Sequence, residues 1–127
     1  MLVVTAQAVA GFGAFASDSM TVSTATLDTP TGTAAAVDTC TPATSVTVQV
    51  TWTASSEPTS GYAIFRSAGG GPSTQIGTVV GSSTTSFLDT TAAFATDYVY
   101  TVESARASWT SGASADAALT TPTSACV

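Results

Sequence analysis

The sequence predicts an all-β fold, a seven-stranded antiparallel β-sandwich. Three observations carry that prediction. Val46, Val48, Val50 and Trp52 alternate with Thr and Gln, and some fifty residues on Tyr98, Tyr100 and Val102 alternate with Val, Thr and Glu. Such alternation marks a strand with one dry and one wet face. The composition is rich in Thr, Ser and Gly, and no run beyond the first residues has convincing helical periodicity. At 127 residues the chain is long enough for one domain with a single core plus a short extension.

Leu2 to Ala16 is a weakly polar run of about 15 residues, shorter than the roughly 20 that a membrane helix needs. Its length and its A-x-A-like sites suit the apolar region and cleavage site of a secretory signal. Met1 is followed directly by Leu2, with no basic region between, so residues 1–16 read as a truncated signal-peptide remnant. The competing reading makes residues 1–9 an extra strand. Residues 17–29 then form a linker or additional strand. Ala14-Phe15-Ala16-Ser17-Asp18-Ser19, followed by Ala25-Thr26-Leu27-Asp28, resembles the junction of proteins secreted with the SipW-dependent type of signal peptide, the group of the TasA and camelysin biofilm-matrix proteins. The resemblance covers residues 11–28 and implies cleavage near the Ala14-Phe15 bond. Beyond Asp28 the chain departs from TasA.

The strands follow in order. Pro30-Thr31-Gly32 opens the first, at Ala34 to Val37, and the second runs from Val46 to Thr53 with Trp52 inward. Glu57-Pro58-Thr59-Ser60-Gly61 is a turn, because Pro and Gly set its dihedrals. Tyr62, Ile64 and Arg66 then alternate as the third strand. Gly69-Gly70-Gly71-Pro72 is a hairpin loop into Thr74 to Val80, and Thr84 to Leu88 is ended by Asp89. The last two strands are Thr96 to Ala107 and Gly112 to Thr120. From Pro30 to about Pro122 this series resembles a fibronectin type III domain, an immunoglobulin-like sandwich, in the order and spacing of Trp52, Tyr62, Tyr98, Tyr100 and Val102. The expected core is Val48, Val50, Trp52, Tyr62, Ile64, Tyr98, Tyr100 and Val102. Tyr98 falls where the family has a corner tyrosine whose hydroxyl bonds back to nearby backbone. Ala92 and Phe94 stand where the family has Leu and Pro. The domain is thus placed at residues 30–122, with a tail at 123–127.

The two cysteines, Cys40 and Cys126, lie just past the first and last strands. In this topology both strands end at the same pole, so a disulfide is expected. It would stabilise the fold by about 4–5 kcal/mol on the chain-entropy model. Free thiols, or a link between chains through the tail, are the competing readings.

The absences exclude more than the presences suggest. Lys, His and Asn do not occur, and the only cations are Arg66 and Arg106 against eight acids. Without clustered cations neither a nucleic-acid surface nor a polybasic membrane patch can be built. Without His there is no Ser-His-Asp arrangement and no usual zinc ligand; two thiolates alone do not make a metal site. The glycines at 69–71 lack the Lys-Ser/Thr of a phosphate loop. Asp89, Asp97 and Glu103 read as solvated strand acids rather than as a catalytic pair or calcium ligands. No catalytic residue, cofactor or metal is expected.

Three residues remain as candidates for an interaction surface. Trp109 either caps the end of the core or meets a partner. Phe65 and Val99 have outward parity on neighbouring strands and form a small apolar strip, in a setting where scattered exposed apolar residues are ordinary. The expected function is that of an exported, non-catalytic fibronectin type III module, secreted or at the cell surface, which adheres to a protein or surface polymer. It would meet a membrane only during export. The alternatives are a structural subunit of extracellular fibres, and an accessory domain of a secreted polysaccharide-degrading enzyme.

Overall fold

The computed structural model describes residues 26–55 and 59–127. The signal-peptide reading, the Ala14-Phe15 junction, residues 17–25 of the linker, and Glu57 and Pro58 of the first turn lie outside the described residues. The strands are β1 (Thr31–Thr41), β2 (Ser45–Thr53), β3 (Gly61–Ala68), β4 (Thr74–Val80), β5 (Ser86–Asp89), β6 (Asp97–Arg106), β7 (Trp109–Thr110) and β8 (Ala117–Thr120). They form two antiparallel sheets. One has the order β1-β2-β5; in the other β4, β3 and β6 run side by side, and β7 and β8 both pair with β6. The all-β sandwich is therefore as predicted, with eight strands among the described residues for the seven expected.

The period-2 patterns place the core between the sheets. In β2 the side chains of Val46, Val48, Val50 and Trp52 are buried while the intervening Gln49 and Thr51 are exposed. Tyr62 and Ile64 from β3 and Tyr98, Tyr100 and Val102 from β6 meet Val48, Val50 and Trp52, and Ala117 of β8 closes the cluster. The Trp52 and Tyr62 rings tilt together with centroids 5.2 Å apart, an arrangement that adds to the area they bury. The Tyr62 hydroxyl donates to the Ser82 carbonyl at 2.7 Å and accepts from the Ser55 amide at 2.9 Å, so it ties two loops to the core.

Three strand boundaries differ from the sequence reading, each for a local reason. β1 is longer than the predicted Ala34 to Val37, and two bulges interrupt its pairing with β2. Gly32, at φ +62°, stands at the first of them, packed close to the Thr53 side chain, where a Cβ would be strained. β5 begins at Ser86 rather than Thr84, because Thr84 closes the preceding turn through its amide to Gly81 and its hydroxyl to Val80. The last predicted strand, Gly112 to Thr120, is a strand only at β8, and the short β7 lies ahead of it in the predicted connection. Between them the Ser111 and Ser114 hydroxyls accept hydrogen bonds from the Ser104 and Val102 amides of β6 at 2.9 and 3.0 Å, in place of a continuous backbone ladder.

The corner before β6 is braced with Ala92 and Phe94 standing in place of the Leu and Pro that the resemblance implies. Ala93 donates its amide to the Tyr98 hydroxyl at 2.8 Å and its carbonyl accepts from the Thr121 hydroxyl at 2.6 Å. The tail then crosses to the end of β1. Ala43 donates to the Ser124 carbonyl, and Cys40 and Cys126 form a disulfide with their Cα atoms 5.8 Å apart.

Candidate functional site

Two groups of polar residues could carry chemistry, one on each face of the larger sheet. The inner group centres on Asp89, only 2% exposed at the end of β5. This overturns the reading of Asp89 as a solvated acid. Its Oδ2 accepts from Arg66 Nη1 at 2.7 Å and from the Tyr100 hydroxyl at 2.8 Å. Its Oδ1 accepts from the Thr91 amide at 2.9 Å and the Thr91 hydroxyl at 2.7 Å. The Arg66 guanidinium also lies over the Tyr98 ring, 4.8 Å from its centroid, a cation–π contact. Burial pushes the Asp89 carboxyl up, but the Thr91, Tyr100 and Arg66 hydrogen bonds outweigh it and hold the carboxyl below its ordinary value. Burial, then the Asp89 hydrogen bond, pushes the Tyr100 hydroxyl well above its ordinary value. Every acceptor site of the carboxylate used here is turned inward, so the cluster pins β5 to β3 and β6.

Sequence reasoning missed this cluster, although a signal was present. Arg66 stands at an inward position of β3, and a buried guanidinium requires an anionic partner. Asp97 does remain exposed at the start of β6 and accepts from the Thr120 hydroxyl at 2.6 Å.

The outer face carries Phe65 and Val99. Phe65 pairs with Thr101 and Ser67 with Val99 across β3 and β6, so Phe65 and Val99 are diagonal neighbours on one face. Both are half-buried and line a shallow groove with Thr101, Glu103 and Asp116, walled by Gly70 and Gly71 of the hairpin loop. The groove therefore joins an apolar floor to two carboxylates.

Trp109 does not join it. It is 55% exposed and pairs with Arg106, which has the inward parity of Tyr98, Tyr100 and Val102. Trp109 thus lies on the other side of the sheet, at the opposite pole from the disulfide, in a groove shared with Thr26, Leu27 and Gly112. It is not part of the core cluster, and about half its surface is open to solvent.

No protein-family model matches the chain, and no curated protein matches it. Among solved structures, a Fn3-like protein from Clostridium thermocellum is similar at 31% identity with a TM-score of 0.62, over 77% of this chain and 96% of that one. The fn3 domain of the human collagen alpha-1(XX) chain is similar at 21% identity and a TM-score of 0.61, over 82% and 93% of the two chains. Domains A168–A170 of titin are similar at 17% identity and a TM-score of 0.63, over 76% of this chain and 32% of that one. The last two likenesses concern the fold alone.

Proposed function

Because the chain belongs to the fibronectin type III family, we propose that it is an exported, non-catalytic module that adheres to a protein partner through the outer face of its larger sheet. The family fold is typical of protein-interaction modules, and its domains are generally non-catalytic. One observation carries the choice of face. Phe65 and Val99 floor a groove edged by Glu103 and Asp116, whereas both cations of the chain, Arg66 and Arg106, stand at inward positions of β3 and β6. Acid beside apolar surface, with no Arg or Lys among the described residues of the same face, is complementary to an extended segment bearing aliphatic and basic side chains.

The resemblance of residues 11–28 to an export junction supports secretion, as does a disulfide that persists only where thiols are not kept reduced. Mass spectrometry of protein recovered from the medium is expected to find a terminus near Phe15; retention of the whole chain inside the cell overturns export. For the face, a synthetic extended peptide alternating Lys with Leu is titrated into the protein while amide shifts are followed by NMR. The expected shifts map to β3 and β6 around Phe65 and Val99, and Phe65→Ser weakens them more than Trp109→Ser does. Shifts confined to the Trp109 pole overturn the assignment, and turnover of a polymer by the pure protein overturns the non-catalytic reading.

A further inference from the structure

The disulfide has a mechanical consequence that follows from where it sits. β1 begins at Thr31, opposite Thr53, and reaches Cys40, opposite Val46, so it runs the length of the sandwich from one pole to the other. At the far pole Cys40 is bonded to Cys126. A force that enters ahead of Thr31 and leaves after Cys126 therefore passes along ten residues of β1 and then through one covalent bond. The sequence separation of 86 leaves 85 residues outside that path. They include every member of the main buried cluster, from Val48 to Ala117.

We propose that the module carries tension as an inextensible link, loaded through β1 and the Cys40–Cys126 bond while β2 to β8 stay unloaded. The argument rests on extension. β1 is already a strand, and strands rise about 3.3–3.4 Å per residue against a limit of about 3.6 Å for a stretched chain. Even with its two bulges, β1 holds only a few Å of slack per module on that arithmetic. Without the bond the same load falls on hydrogen bonds: the β1–β2 ladder, the four-residue pairing of β8 with β6, and the tail contacts Ala43–Ser124 and Ala95–Pro122. Those would open and release the 85 residues, a gain of about 300 Å at roughly 3.5 Å each. A link of this kind suits a protein that joins two anchored bodies, and it is conditional on an oxidising surrounding. It does not depend on which face binds a partner.

Single-molecule force spectroscopy on the full chain, with handles at both ends, tests the proposal. The segment ahead of β1 is the same in both redox states, so its contribution cancels in the comparison. The oxidised protein is expected to show no long unfolding step, and addition of a thiol reductant under constant load is expected to produce one of about 300 Å. The double variant Cys40→Ser with Cys126→Ser should give that step without reductant. Should that variant fail to fold, the reductant arm still decides, because it starts from folded, oxidised molecules. A long step from oxidised protein, or free thiols in the mass of the native protein, overturns the proposal.

Discussion

β3 and β6 supply neighbouring residues to both faces of the larger sheet, and the two faces are chemically unlike. Inward, Ile64 and Val102 are completely buried, and Arg66 and Tyr100 converge on Asp89, with both carboxylate oxygens engaged. Outward, Phe65, Val99 and Glu103 are only half covered and line an open groove. Asp89 is 2% exposed and spends both oxygens on Arg66, Tyr100 and Thr91, so the carboxylate belongs to the architecture. The outer residues can change while the fold persists, and recognition is free to reside there. Variants placed on alternate residues test that division.

The largest effect is expected at Ile64. Ile64→Ala opens a cavity in a fully buried site and should cost about 3 kcal/mol in urea unfolding. Its neighbour Phe65 faces the other way, and Phe65→Ala should cost no more than about 1 kcal/mol, closer to an ordinary surface change. Equal losses at the two positions would break the contrast between the faces.

Asp89→Asn should cost nearly as much. It leaves the Arg66 guanidinium, whose side chain is 20% exposed, without its anion. Breaking a buried pair costs 3–5 kcal/mol in general, and the partial exposure of Arg66 puts the expectation near the low end, about 3 kcal/mol. The same group sets an acid dependence. The carboxyl titrates below its ordinary value of 3.8 in the fold, so it binds its proton less readily folded than unfolded. Its stabilisation is therefore complete above that value and is lost as the pH falls below it, through the folded pKa. Acid unfolding followed by circular dichroism should show this loss in the native protein and not in Asp89→Asn.

Tyr100→Phe removes one of the four hydrogen bonds to that carboxylate and keeps the ring. The expected loss is about 1 kcal/mol, with the Asp89 titration moved up toward its ordinary value. A loss as large as that of Asp89→Asn would mean that the hydroxyl, and not the Arg66 charge, holds β5 in place.

The same contrast explains what could be read from sequence. Alternation encodes parity, so the burial of Val48, Val50, Tyr100 and Val102 and the outward placement of Phe65 and Val99 follow from counting by two. The sandwich and the meeting of Cys40 with Cys126 follow from strand order. Partnerships across the sandwich do not. Asp89 ends a strand among Thr residues, which is also where a solvated acid would stand, and only the approach of β5 to β3 buries it under Arg66. The break between β7 and β8 was hidden because Ser111 and Ser114 have ordinary side chains for a loop; their hydroxyls replace a ladder only once β6 is beside them. Trp109 was ambiguous because its parity depends on the β6–β7 register, which a two-residue strand does not declare.

The smallest effect on stability is expected at Glu103, and it is the sharpest test of the outer face. Glu103 lies on β6 between inward Val102 and Ser104 and meets the groove rather than the core. Glu103→Gln keeps the shape and removes one charge, so unfolding free energy should move by less than about 0.5 kcal/mol. A rim charge acts on encounter, and its removal should slow association of a Lys-containing peptide several-fold at low salt and leave dissociation almost unchanged. At an ionic strength near 1 M, where screening acts over about 3 Å, the variant and the native protein should associate alike. Asp97→Asn is the control, since it removes a charge from the same strand outside the groove lining. If Asp97→Asn slows association as much as Glu103→Gln does, the attraction comes from the net charge of −6 spread over the molecule, and the groove has no special part in it.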